Sequence, residues 1–410
     1  MELQVGMGEI KKVNTQNSIL DIIRKNGEAS KFDIKKISRY SMSTVLTVIE
    51  ELERLGYIQY SRTGKSSVGR KPTLYTLNAE AGYFVGVEFN ADEIHCVLLD
   101  FKLQVVCAKS SVILEADRQA DRMLEILFSH ISEMLDFLPS PEKVMGIGVG
   151  APGYVTEEST ILFYAYIADW TNINLRQLIE EHFHIPTYLD NNINLIALAH
   201  RKVTEDNQNF LLFSIRSGIR FGCVLNNEIY RGAFNLSGEV GHTTVYPSSR
   251  QCRCGRKGCL ESEISNYAII NKLVEGISVG QYGQLWKMAE KKQENLTVSL
   301  FVRSVLAGHE ESLELFDEIC NYLGSALAQS INMMNPSLIY LRSALNEAGD
   351  LLMERLGTVI RKHSFYASLE NFELRLSDIG PNAGAIGAAQ FAMNNNFGYV
   401  SIPAFAAGLS

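Results

Sequence analysis

The stretch GHTTVYPSSRQCRCGRKGCLE, residues 241–261, sets the tightest limit on how this chain can fold: it gathers three of the seven cysteines, and a histidine, into twenty-one positions. Cys252 and Cys254 are separated by one residue and Cys259 follows five residues later, so a single loop must bring three thiols together. Gly255 and Gly258 lie among them and permit the sharp turns this needs. Thiolates suit a borderline-soft ion, and a structural zinc takes about four such donors in a tetrahedron. Cys96, Cys107, Cys223 and Cys320 stand singly in apolar contexts, where packing in the core is expected. One tight cluster suits a reducing compartment better than a disulfide framework, and the N-terminus MELQVGMGEIKKVNTQN has no apolar run behind a basic start. A cytoplasmic protein is expected.

At 410 residues the chain is long enough for two or three folding units. No apolar run approaches the roughly 18 residues of a membrane span, so no membrane partner is expected. The net charge of −8 is unevenly placed. Residues 1–77 hold 13 Lys/Arg against 8 Asp/Glu, which leaves 25 basic and 38 acidic residues for the rest of the 38 and 46 in total. A basic terminal unit can approach a phosphate backbone that the acidic remainder would repel.

The basic segment reads as helix, helix, helix, hairpin. NSILDIIRKN, residues 17–26, puts Ile19, Leu20, Ile22 and Ile23 at helical spacing. Ser30 with Asp33 three residues on resembles a capping box, and Ile34 and Ile37 supply an apolar face. Ser41 can cap a third helix whose stripe is Val45, Val48, Ile49, Leu52 and Leu55. YIQYSRTGKSSVGRKPTLYTLN then alternates around a glycine-rich basic middle, as two strands joined by a loop do. This order is that of a winged helix-turn-helix over residues 1–78, its third helix sized for the major groove of double-stranded DNA. Ser43, Thr44 and Thr47 lie off the stripe, where short hydroxyls reach phosphates or base edges. Arg70 and Lys71, in VGRKP, sit on the wing and suit backbone or minor-groove contact.

From residue 83 onward strands and helices alternate, which predicts an α/β architecture. YFVGVEFN and EIHCVLLD read as strands, a helix follows at 117–137, and KVMGIGVGAPGYV runs into a glycine and proline turn. Two long helices, at 310–334 and 346–362, flank the strand LIYLR. GIGVGAPGYV, IPTYLDNNIN, LSGEVGH and CRCGRKGCLE together resemble the ROK family of sugar kinases and transcriptional regulators, and the N-terminal unit with GRKP resembles its repressor branch. The resemblance runs from about residue 14 to residue 395. It implies a two-lobed actin-like ATPase fold, with residues 79–194 plus 384–410 as the first lobe. Residues 195–383 would form the second, with the cysteine loop and a dimerisation surface.

The resemblance also assigns roles. It makes His242 the fourth ligand of a structural zinc beside Cys252, Cys254 and Cys259, with no position left for a reactive water. It places Glu239, His242 and Glu261 against a sugar, together with Gly153, Asn191 and Asn192. Kinase members carry an aspartate where Asn192 stands, and a carboxamide has no basic site near neutral pH. Asp190, two residues away, is the remaining carboxylate of DNNIN. The phosphate-binding turns also depart from the kinase pattern: EFNAD at 88–92 lacks glycine, and RSGIR at 216–220 sets Arg216 and Arg220 where small residues are usual. Arg342 and Ser343 replace a late glycine pair. Such arginines would obstruct ATP or bind an anion directly. The expectation is therefore a carbohydrate-sensing repressor without phosphotransfer, acting as a homodimer or higher homo-oligomer on operator DNA and responding to a monosaccharide or sugar phosphate. Its rivals are an active sugar kinase with a DNA-binding arm and a regulator controlled by a protein partner.

Overall fold

The computed structural model describes residues 7–63, 72–156, 160–163, 167–203, 209–226, 228–244 and 249–398. They divide into two compact units. The first lies within Met1–Leu162, Ile167–Ala199 and Pro381–Ser410, and the second within Phe163–Tyr166 and His200–Gly380. Arg70 and Lys71 fall outside the described residues.

The first unit opens with α1 (Met7–Asn26), ten residues longer at its start than the expected helix, with Met7, Ile10 and Val13 at three-residue spacing in the added part. Strand β1 (Ala29–Ser30) leads into α2 (Lys31–Ser38). Ser30 Oγ accepts from the Asp33 amide at 3.2 Å while the Asp33 carboxylate accepts from the Ser30 amide at 2.9 Å, so the capping box is complete. Helix α3 (Met42–Arg54) is capped by Ser41 and buries Val45, Val48, Ile49 and Leu52. Two residues of the expected stripes are instead exposed, Ile37 at 52 % and Leu55 at 48 %. The eight-residue α2 reaches the core through Ile34 alone, and Leu55 caps α3 where the chain turns away. Strands β2 (Ile58–Thr63) and β3 (Thr73–Leu77) form an antiparallel hairpin that β1 joins at the β3 edge.

Next come β4 (Tyr83–Phe89), β5 (Glu93–Asp100), β6 (Val105–Val112), α4 (Ala120–Asp136) and β7 (Val144–Ala151). After a two-stranded ladder of β8 (Thr160–Phe163) and β9 (Thr171–Asn174), the chain forms α5 (Leu175–Phe183), β10 (Thr187–Asn191) and α6 (Asn192–Val203). The five-stranded sheet has the order β10-β7-β4-β5-β6; β10, β7 and β4 run parallel, while β5 is antiparallel to both of its neighbours. Cys96 is buried in β5 as expected, whereas Cys107 on the edge strand β6 is only half-buried.

The second unit is built on a sheet of order β13-β12-β11-β14-β15, with β11 (Phe210–Ile215), β12 (Ile219–Leu225), β13 (Glu228–Ile229), β14 (Leu338–Ser343) and β15 (Glu373–Leu376). Its helices are α7 (Glu261–Ile264), α8 (Asn266–Ser278), α9 (Gly283–Met288), α10 (Val298–Leu306), α11 (Glu310–Met334) and α12 (Asp350–His363). Phe213, Phe301, Phe316, Leu323 and Leu327 belong to its continuous core. Finally α13 (Ala383–Asn396) returns to the first unit. It lies on the backbone of the first sheet: a Cβ at Gly148 would come within 1.8 Å of the Ala388 carbonyl oxygen, so glycine is required there.

Candidate functional site

In the first unit, the carboxyl ends of β7 and β10 are adjacent, with Asn191 in register with Ala151. The chain leaves β7 through Gly153 at φ +78°, in the left-handed region. Asn191 Nδ2 donates to the Gly153 carbonyl at 2.9 Å, and its Oδ1 accepts from the Ile193 amide at 3.0 Å. Both ends of that carboxamide brace the turn and the start of α6. Asn192 is buried and donates its Nδ2 to Glu88 Oε1 at 3.3 Å, so the residue at the expected base position presents a donor toward a carboxylate. Asp190 is 2 % exposed; its Oδ1 accepts from the Asn191 amide at 2.6 Å and from Asn194 Nδ2 at 2.9 Å, a bracing role within the strand-to-helix turn.

In the second unit, the start of β12 organises the other candidate residues. Glu261 Oε2 accepts from the Ile219 amide at 3.0 Å, and burial pushes the Glu261 carboxyl above the usual range. Arg220 stands one residue on, and its side chain is turned into the protein. Its Nη1 lies 2.9 Å from Glu239 Oε1, its Nε donates to the Ser237 carbonyl, and its Nη2 donates to the carbonyls of Asn235 and Ser237. The guanidinium thus clasps the loop that carries Glu239. That loop approaches β12 closely, and a Cβ at Gly238, where φ is +84°, would come within 1.9 Å of the Phe221 carbonyl oxygen. Arg342 likewise donates to the Ile379 carbonyl at 2.9 Å.

Residues 240–242 form a single 3-10 turn that sets His242 beside the cysteine loop. Gly255 and Gly258 take φ of +89° and +75°, as the tight spacing requires. The ligand atoms of His242, Cys252, Cys254 and Cys259 lie within 4.8 Å of one another, and this cluster could hold a metal ion. His242 Nδ1 is 3.8 Å from Cys252 Sγ, and Cys254 Sγ is 3.6 Å from Cys259 Sγ. Bonds of about 2.3 Å to sulfur and about 2.0 Å to nitrogen give tetrahedron edges of about 3.5 to 3.8 Å, so the donor set fits. The loop is tied to α8 by the Arg250–Glu275 ion pair at 2.8 Å and by Arg253 over the Tyr267 ring at 4.1 Å.

On α3, Ser43 and Thr47 are exposed, whereas Thr44 is half-buried with its hydroxyl 2.8 Å from Ser41 Oγ. Ser43 Oγ also contacts Ser41 Oγ at 2.8 Å. The exposed face at helical spacing is Ser43, Leu46, Thr47 and Glu50. Leu46 and Glu50 share this face because they lie three and seven residues from Ser43.

Comparison with known proteins agrees with this architecture. The chain is 27 % identical over 401 residues to the xylose repressor of Caldicellulosiruptor bescii, covering 97 % of this chain and 98 % of that protein. A crystal structure of a ROK family transcriptional regulator, a homolog of the E. coli MLC protein, superimposes with TM-score 0.80 at 23 % identity, over 95 % of this chain and 97 % of that one. A ROK family glucokinase from Streptomyces griseus, solved with glucose and AMPPNP, superimposes with TM-score 0.67 at 20 % identity, over 76 % of this chain and 100 % of that one. The sequence profile of the ROK family matches residues 84–395. This chain therefore belongs to the ROK family.

Proposed function

We propose that the protein is a carbohydrate-responsive, DNA-binding transcriptional repressor whose kinase-like part does not transfer phosphate. The observation that carries this reading is the exposed face of α3. A capped helix of 13 residues, about 20 Å long, presents Ser43, Leu46, Thr47 and Glu50 on the basic N-terminal segment, 1–78. Two such helices from a homodimer or higher homo-oligomer reach successive half-sites of an operator. Ser43 and Thr47 contact phosphates or base edges, Thr44 supports the cap, and Arg70 and Lys71 act from the wing. The similarity to a xylose repressor along almost the entire chain supports the same reading, and directs attention to xylose.

Sugar hydroxyls are recognised by the carboxylates of Glu239 and Glu261 and by the imidazole of His242 in the second unit; Gly153, Asn191 and Asn192, in the first, are the other residues offered to a saccharide. Zinc is the ion that the His and three Cys donors suit. When bound it fixes the loop and the His242 tautomer, leaving Nε2 to face a ligand. With four protein donors its role is structural. Absence of phosphotransfer rests on Asn192, whose amide faces Glu88 and cannot take a proton from a hydroxyl.

An operator selected from random duplexes with the full chain provides the test. Thr47→Ala should weaken its binding about tenfold, binding should fall steeply with salt, and a monosaccharide should change occupancy. Sugar-dependent ATP turnover by the wild type would overturn the non-enzymatic reading. A DNA affinity indifferent to every saccharide, yet altered by cell extract, would favour a protein partner as the effector.

A further inference from the structure

The contact between Arg220 and Glu239 carries a consequence for ligand choice, which rests on the carbohydrate-site reading above. Arg220 is 8 % exposed, and a guanidinium buried that deeply requires compensation. It finds it in Glu239 Oε1 at 2.9 Å and in the carbonyls of Asn235 and Ser237. The Glu239 side chain is 35 % exposed, and among the described residues no further bond to its carboxylate is found. The carboxylate is thus oriented through one oxygen, with Oε2 left as its acceptor. Across the start of β12, Glu261 is held the same way, through Oε2 on the Ile219 amide. Two acidic groups are pinned by adjacent residues, one by a backbone amide and the other by a side chain that sequence alone could vary.

We propose that Arg220 is a positioning residue that sets hydroxyl selectivity at Glu239. By holding Oε1 it fixes the plane of the Glu239 carboxylate and turns Oε2 into its principal free acceptor, so that the hydroxyl meeting Oε2 is favoured over others. Its planar fork also fixes the 235–239 loop, so the remaining oxygen meets the ligand without the ordering cost of a free glutamate. Loss of the arginine releases the carboxylate. The penalty then falls on ligands that use Glu239 and spares those that do not.

The test uses the full chain loaded with zinc and a panel of D-xylose, D-glucose and D-mannose with their monodeoxy analogues, read by calorimetry. For the sugar bound best, one deoxy analogue should bind the wild type at least tenfold more weakly, marking the hydroxyl that Glu239 holds. R220M should weaken the parent sugar about tenfold while leaving that analogue unchanged, and R220K, which retains the charge, should recover part of the loss. Equal weakening of the parent and every analogue, or no change at all, would overturn the proposal. Should R220M not fold, judged by metal content and melting temperature, R220K and R220Q are compared in the same way. A wild type that binds no saccharide would sink the carbohydrate-site reading itself, whereas a wild type that binds with uniform losses in the variants sinks only the role of Arg220.

Discussion

His200 shows how one side chain can give the protein a pH dependence. Its ring is 2 % exposed, lies 4.5 Å from the Tyr340 ring between centroids, and bonds Ser377 Oγ through Nε2 at 2.9 Å. Burial, with the Arg342 guanidinium adding to it and Asp378 opposing, pushes its pKa down to about 4. The unfolded chain takes up a proton near pH 6.5 that the folded chain refuses until about pH 4, so stability is full above 6.5 and is lost as the pH falls through that window. Between pH 7 and pH 5 the loss from this residue should be about 2 kcal/mol. His200→Gln, which can keep the bond to Ser377 and does not titrate, should flatten the difference in urea midpoint between those pH values. An unchanged difference would show that His200 is protonated in the folded protein.

At the scale of elements, the parts visible in advance were those whose partners are close in sequence. Ser30 and Asp33 are three residues apart and their capping box was readable; Ser30→Ala should cost about 1 kcal/mol, measured as a lower urea midpoint with unchanged slope. The stripe of α3 was equally plain, since Val45, Val48, Ile49 and Leu52 recur at helical spacing. Strand β1 was not, because two residues carry no periodicity and exist as a strand only through pairing with Leu74 and Tyr75. The clasp between Arg220 and Glu239 was hidden for a related reason: sequence announces a bulky residue in a glycine turn but not where its side chain goes. The cysteine loop lies between these cases. Its spacing announced a ligand cluster, and its geometry agrees, so a purified chain should contain one zinc, and chelation should lower the melting temperature and free three thiols for alkylation. Retention of the melting temperature after the metal is stripped would remove the ion's structural role.

Across the whole molecule, the important join is between the N-terminal helices and the first sheet, which share one hydrophobic core. Phe397, just past α13, is at its centre. Its ring lies 5.8 Å from Tyr57, which follows α3, 5.3 Å from Phe101 after β5, and 6.4 Å from Phe84 in β4. Tyr57 and Phe101 also stack on each other at 5.5 Å. Chain segments more than 300 residues apart therefore meet in one aromatic cluster, so the arm is packed on the sheet through a shared core. Phe397→Ala should cost roughly 3 kcal/mol, by lost burial and the cavity it leaves. If the arm and the sheet form one cooperative unit, backbone amides of α3 and of β5 should lose protection from hydrogen exchange together in that variant. Loss of protection confined to α3, with β5 unaffected, would mean that the arm opens independently, and any signal from the kinase-like part would need another route to the DNA.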